Sequence, residues 1–206
     1  MTALATIAMV VVALLQWQTL EKTDTTLRVV QRPWISIEKV TSLDPWPRYE
    51  DDKVGFTLLF FLKNVGHSPA LDIRVDARVI PEEPGRPVEW TEPQRQVCAS
   101  VRAALDRREK SDRYTIVPNE VFPYRLERKI RKPTTDYSPV IVGCIVYRTA
   151  RDITSHQTPF FARMFVDDPR RRVDLRVDMA PIKISDLKPP KNQQLYVNVE
   201  GAGDAD

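Results

Sequence analysis

Glycine, histidine and cysteine are scarce in this chain of 206 residues, which contains six, two and two of them respectively. The glycines form neither a phosphate-binding loop nor a dinucleotide-binding fingerprint, and no Gly-x-Ser-x-Gly elbow is present. Neither histidine has a cysteine or a carboxylate beside it at zinc-ligand spacing. The sequence therefore predicts no catalytic residue, no cofactor site and no metal site.

The two histidines, His67 and His156, both lie in segments with the composition of turns. If the fold brought them together, they could act as metal ligands or as an acid/base pair. The protein would then be a membrane-tethered hydrolase or a metal-dependent enzyme. Turn or surface histidines without a catalytic role are the commoner case, so we favour a non-enzymatic protein and keep the enzyme as the rival hypothesis.

Charged residues are absent from Thr2 to Leu20, and the stretch from Ala3 to Leu15 is apolar apart from one threonine. The uncharged length is close to the roughly 20 residues that a helix needs to cross a bilayer core. Trp17 is an amphipathic ring of the kind found at membrane interfaces. A cleaved signal peptide and a buried helix are the alternatives, but a basic n-region and small residues before a cleavage point are both missing. Residues 1–20 are therefore predicted to be a retained transmembrane anchor, with the lipid bilayer as the partner of residues 2–20.

The basic residues that flank the anchor all follow it, at Lys22, Arg28, Arg32 and Lys39. The positive-inside rule then places the following domain in the cytoplasm, with a periplasmic or extracellular location as the alternative. Cys98 and Cys144 do not decide between these compartments, because the sequence leaves open whether they come within bonding distance. Cys144 by itself is interpreted as a small apolar residue of the core.

The remainder of the chain divides into a stalk, one domain and a tail. Residues 21–32 are predicted to form a juxtamembrane helical stalk that Pro33 terminates. Residues 33–187 are enough for one domain with a sizeable core, and residues 188–206 are predicted to be a flexible tail. The 31 basic and 28 acidic side chains are interspersed, which argues against a nucleic-acid binder.

Patterns with a period of two predict that the domain is rich in strands. Val54 to Lys63 and Val140 to Tyr147 are apolar on nearly both faces, and we expect them to pair with each other at the centre of the core. Leu71 to Val79 alternates apolar with charged residues, as half-buried strands do. Further strands are predicted at Trp34–Thr41, Val121–Ile130, Thr158–Val166 and Val173–Val177.

One helix interrupts the strands and is predicted to run from Thr91 to about Lys110, with Thr91 as its N-cap. Val97, Val101 and Leu105 give it an apolar face, which is expected to pack across a sheet edge. The predicted fold is therefore mainly β. It consists of an N-terminal membrane helix followed by an immunoglobulin-like antiparallel β-sandwich with one additional edge helix.

Asn64 to Ala70, with the sequence Asn-Val-Gly-His-Ser-Pro-Ala, links two of these strands. Asn64 and Gly66 tolerate positive φ angles, and Pro69 restricts the backbone that enters the next strand. These three residues are predicted to form a structural turn.

The strand–turn–strand pattern around Asn64 resembles bacterial adhesion-type and other immunoglobulin-like modules. Arg32-Pro33-Trp34, Gly143 to Tyr147 and His156 to Phe160 add to the likeness. With them, the chain is similar to a group of uncharacterised bacterial single-pass membrane proteins. The resemblance covers Arg32 to Val166 in patches. It implies the fold and the anchor only, and no activity. We expect the anchor to lie in the bacterial inner membrane.

Trp46 and Trp90 lie in proline-rich loops, where a binding module would present contact residues. Packing underneath those loops is the alternative for both. We therefore expect a membrane-anchored interaction or assembly module with an unknown protein partner, and neither nucleic acid nor a small-molecule substrate. A third hypothesis is an envelope carrier or chaperone that binds extended peptides at a sheet edge.

Overall fold

The computed structural model describes residues 9, 12–23, 31–44, 46–83, 85, 88–107, 114–150, 155–167, 182 and 194–202. Within these ranges the protein is mainly β, with antiparallel sheets and two helices. Helix α1 covers residues 12–23. Neither described helix combines the length and the apolar character that crossing a bilayer requires. The anchor and the stalk lie partly outside the described residues, and both stay predictions.

The first sheet is organised around β3 (Lys53–Asn64), its longest strand. β1 (Ile35–Ser42) and β2 (Arg48–Glu50) pair antiparallel with successive parts of one side of β3. β6 (Val121–Arg131) pairs antiparallel with the other side along nearly its whole length. The predicted strands at the corresponding positions are confirmed, and β3 is central as expected.

The second sheet has the strand order β5-β4-β7-β8-β9 and is antiparallel throughout. These strands are β4 (Ala70–Glu82), β5 (Tyr114–Ile116), β7 (Ser138–Arg148), β8 (Ser155–Asp167) and β9 (Gln194–Ala202). The short β5 pairs with only the first residues of β4 and leaves the rest of that edge without a strand.

The inward-facing side chains of both sheets form one core. In it, the ring of Phe60 on β3 packs against the ring of Phe160 on β8, with the ring centroids 5.3 Å apart. Phe160 lies opposite Gly143 of β7, and a Cβ on that glycine would overlap the Phe160 ring. Glycine at position 143 therefore makes the space that this fully buried ring occupies.

Helix α2 (Thr91–Asp106) packs on the outer face of the second sheet, across β4, β7 and β8. The expectation of an edge helix is therefore wrong. Trp90, which makes no side-chain cap bond, occupies the N-cap position, and Thr91 is the first helical residue. The apolar face of α2 buries Cys144 and Val146 of β7, which explains why β7 is apolar on both faces.

Two further expectations need correction. β7 pairs with β4 and β8, so its predicted pairing with β3 is wrong: each of these apolar strands is central in its own sheet. β9 lies within residues 188–206, which were predicted to be a flexible tail, yet it pairs with β8 and its Val197 and Val199 pack against the core. The strand predicted at residues 173–177 lies outside the described residues.

Candidate functional site

The predicted turn between β3 and β4 is organised by the side chain of Asn64, which is fully buried. Its Nδ2 donates to the backbone oxygens of Ser68 and Ile116 at 2.8 and 3.0 Å. Its Oδ1 accepts from the backbone N–H groups of Gly66 and Trp34 at 3.0 and 3.3 Å. All four hydrogen-bonding positions of the amide are used. One side chain thus joins the start of β1, the turn and the end of β5.

Gly66 is required for a different reason from the one its turn sequence indicates. Its φ angle is not positive, which corrects the expectation; among the described glycines only Gly85 has a positive φ. A Cβ at position 66 would lie 2.5 Å from the Trp34 nitrogen and 2.6 Å from the Pro33 Cα, and would also collide with the Arg32 carbonyl oxygen. Glycine is needed because the backbone that enters β1 crosses directly over it.

The two tryptophans proposed as partner contacts differ in exposure. Trp46 is only 5% exposed and belongs to the core, so it packs under its loop and presents no contact surface. Trp90 is 38% exposed, and its ring lies 4.9 Å from the ring of Phe161. Of the two, only Trp90 is accessible to a partner.

The two histidines occupy separate elements at one end of the sheets. His67 is exposed in the β3–β4 turn. His156 lies in β8, not in a turn as expected, and its ring is 5.8 Å from that of Tyr147. Burial raises the pKa of the Tyr147 phenol, which therefore stays protonated and donates to the Pro33 carbonyl at 3.3 Å. In the part of the chain that the structure describes, no three histidine, cysteine or carboxylate side chains converge as metal ligands.

A disulfide joins Cys98 of α2 to Cys144 of β7, with the two Cα atoms 5.0 Å apart. Cys144 is fully buried in an apolar cluster, which confirms its expected place in the core, and the structure adds the bond to Cys98 that the sequence left open. Cys98 shares the buried face of α2 with Val101 and Leu105, at offsets of three and seven residues. That spacing was visible in the sequence and could have placed Cys98 toward the sheet.

A groove of about 590 Å³ opens where β4 and β6 approach each other from the two sheets. Three arginines and one aspartate line it, so the lining has an excess of positive charge. The tyrosines and arginines that line the groove are Arg74, Tyr114, Tyr124, Arg125 and Arg128.

Side chains of β6 cap the part of the β4 edge that β5 leaves unpaired. The Tyr124 hydroxyl donates to the Val75 carbonyl at 3.3 Å, and Arg128 Nε donates to the Ala77 carbonyl at 2.7 Å. The Arg128 guanidinium also forms an ion pair with Asp76. A charged residue pointing inward along an edge is a common protection against unwanted strand pairing. The sequence interpretation missed one signal, an arginine on a strand face whose other residues are Phe122, Tyr124, Leu126 and Ile130.

β6 itself presents an open edge beside the groove. Among the described residues it pairs with β3 alone, in a regular register from Val121 to Arg131. The other free edge of this sheet belongs to β1, which is shorter and carries a bulge between Ile37 and Lys39. Because bulges disrupt the alignment of edge hydrogen-bonding groups, β6 is the better template for an added strand.

We expect replacement of Arg128 by Met to lower the free energy of unfolding by roughly 1–2 kcal/mol, since the Ala77 carbonyl and Asp76 lose a charged partner while the aliphatic packing is kept. Arg125→Met is the matched control on the same strand. Arg125 pairs with Glu127 at an exposed site, so its loss should cost at most about 0.5 kcal/mol. Urea unfolding of both variants measures the difference, and equal stabilities would show that Arg128 does not protect the β4 edge.

The described residues thus form a mainly antiparallel β protein, in which a disulfide links a helix to one sheet and a strand edge without a second partner lies beside a cationic groove. No family model, curated protein or solved structure matches the chain.

Proposed function

We propose that this protein is a membrane-anchored, non-enzymatic interaction module, and that its immunoglobulin-like β-sandwich binds an extended, acidic segment of a partner protein along β6. The observation that carries the proposal is the regular edge of β6 next to the groove, with which no other strand pairs in the part of the chain that the structure describes. Extended segments bind other proteins by adding a strand to such an edge, with main-chain hydrogen bonds supplying affinity and neighbouring pockets supplying specificity.

The partner's chemistry follows from the charges around this edge. Arg74, Arg125 and Arg128 line the groove, and only Asp76 opposes them within it. On the exposed face of β6, three basic residues, Arg125, Lys129 and Arg131, outnumber Glu127. Arg125 pairs with Glu127 and Lys129 with Glu50 at exposed sites, where ion pairs exchange readily with a competing carboxylate. Carboxylates on alternate residues of an added strand would point toward Arg125, Lys129 and Arg131 on this one face, because side chains alternate between the two faces of a strand.

The compartment of the domain is also part of the proposal. Disulfides persist in oxidising compartments and are rare in the cytoplasm, so the Cys98–Cys144 bond supports a periplasmic or extracellular location. The positive-inside rule favours the opposite side. The positive-inside rule is a statistical tendency of the lysines and arginines that flank a membrane span, whereas a disulfide bond persists only in an oxidising compartment. We therefore give the disulfide more weight and replace the cytoplasmic expectation.

The test uses the full chain in detergent micelles with a photo-crosslinking amino acid in place of Lys129, on β6. The matched control carries it in place of Lys39, an exposed lysine on the opposite edge of the same sheet. The probes are an extended peptide of alternating valine and glutamate and its valine–lysine counterpart. We expect the acidic peptide to crosslink at position 129, weakly at position 39, and less at high salt.

A charge-reversal pair tests the role of the groove. Arg125→Glu should weaken binding of the acidic peptide severalfold. Arg95→Glu makes the same change in net charge at an exposed position of α2 and should leave binding unchanged. Equal crosslinking at positions 129 and 39, or equal binding of the two peptides, would contradict the proposal.

A further inference from the structure

Exposed apolar side chains are concentrated at one end of the β domain. Five large hydrophobic residues of the described domain are exposed, and three of them, Val65, Val117 and Val121, lie at the same end. Their exposed fractions are 52%, 48% and 40%. Scattered surface hydrophobics are ordinary, but these three are concentrated: Val65 lies in the β3–β4 turn, and Val117 and Val121 lie at the two ends of the adjoining β5–β6 turn. We call these three valines the apolar tip.

Backbone hydrogen bonds hold the apolar tip together. Asn64 N–H donates to the Glu120 carbonyl at 3.3 Å, and Asn119 N–H donates to the Asn64 carbonyl at 2.8 Å. Val65 N–H donates to the Trp34 carbonyl at 2.8 Å. The β3–β4 turn, the β5–β6 turn and the entry to β1 therefore form one platform, so the three valines keep a fixed arrangement.

The carboxylate of the β5–β6 turn is engaged within the platform. Glu120 Oε2 accepts from the Val117 backbone N–H at 3.0 Å, inside the turn itself. At the rim, the Arg32 guanidinium lies over the Trp34 ring, 3.9 Å from its centroid. An arginine and a tryptophan beside apolar side chains are the composition that favours the headgroup region of a membrane.

The chain also enters the domain at the apolar tip. Tyr147 holds the Pro33 carbonyl there, directly before β1. Eight peptide steps separate residue 23, the last residue of α1 that the structure describes before a gap, from residue 31, and even a fully extended chain of that length reaches at most about 29 Å. The apolar tip is thus the end of the domain that stays close to the N-terminal segment.

We propose that the apolar tip rests on the surface of the lipid bilayer, with Val65, Val117 and Val121 at the level of the headgroups. This rests on the membrane anchoring proposed above. In this orientation β6 starts at the membrane with Val121 and runs away from it toward Arg131. The binding edge then projects outward, where a partner segment can reach it.

The experiment uses the full chain reconstituted into phosphatidylcholine vesicles that contain a brominated lipid as quencher. An environment-sensitive fluorescent amino acid replaces Val117 in one sample. In the control it replaces Thr134, an exposed residue in the β6–β7 connection at the opposite end. We expect most of the fluorescence at position 117 to be quenched, and the fluorescence at position 134 to be unaffected. Adding Val65→Asp and Val121→Asp should abolish quenching at position 117.

Flotation of the vesicles separates the two proposals. If the chain floats with the vesicles but position 117 is not quenched, the apolar tip does not contact lipid although the anchor does, and this inference is wrong. Equal quenching at both positions would also overturn it, because the domain would then have no preferred orientation. A chain that does not float would overturn the anchoring and this inference together.

Discussion

Replacing Cys98 and Cys144 together by Ala is expected to lower the free energy of unfolding by about 4 kcal/mol, the chain-entropy value for a crosslink of this size. The two cysteines are 46 residues apart, so the bond removes many conformations from the unfolded chain. Urea unfolding of the full chain, with and without a reductant, measures the effect. The free energy of unfolding of the reduced parent protein should be close to that of the double variant.

The matched control is Val101→Ala, which removes buried volume from the same helix face without touching the crosslink. It should also destabilise, and its difference from the parent protein should persist when both are reduced, because the cost of the cavity does not depend on the crosslink. A parent protein equally stable with and without reductant would contradict the prediction.

The redox state in cells is a separate measurement. Acid quenching followed by thiol alkylation should leave both cysteines unlabelled, because they are joined in the disulfide. Free thiols there would contradict an oxidising compartment without affecting the fold.

The second large effect is expected from Gly66→Ala, which should cost about 3 kcal/mol or more, at the upper end for overpacked sites. The added methyl group would meet backbone atoms of Pro33 and Trp34 at distances that no rotamer change relieves. The strand entry, the Asn64 network and the apolar tip would have to move together. Thermal unfolding and protease resistance of the full chain measure the loss.

Gly55→Ala is the matched control, since a Cβ there would meet its neighbours at 3.7 Å or more, an ordinary contact distance. Gly55 lies in β3, where alanine is at least as acceptable as glycine. The control should therefore unfold within about 1 kcal/mol of the parent. If Gly66→Ala were as stable as Gly55→Ala, the close approach of Pro33 and Trp34 to the turn would be wrong.

The sequence identified Gly66 correctly as a structural residue of the turn, but for the wrong physical reason. The turn sequence drew attention to Asn64 and Gly66 because both tolerate positive φ. The structure instead uses the buried amide of Asn64 as a junction and the missing Cβ of Gly66 as space for another segment. Asn64 depends on Trp34 and Ile116, and Gly66 on Pro33 and Trp34. These partners are distant in sequence, so no local pattern could reveal either role.

Local periodicity determined the strands because the alternation of side chains is a property of the strand itself. β1, β3, β4, β6, β7 and β8 all appear where alternating or continuous apolar residues predicted them. The apolar face of α2 was likewise visible in its sequence spacing. The mainly β class followed from these elements alone.

Only the tertiary structure decided which strands pair, where α2 packs and which surfaces stay open. β3 and β7 look alike in sequence, yet they belong to different sheets, because an apolar face can be covered either by a facing sheet or by a helix. Residues that are far apart in the chain form the Cys98–Cys144 bond, the capped β4 edge and the apolar tip. The same packing leaves the edge of β6 without a second strand among the described residues. These features depend on long-range packing, whereas periodicity reports only on neighbours along the chain.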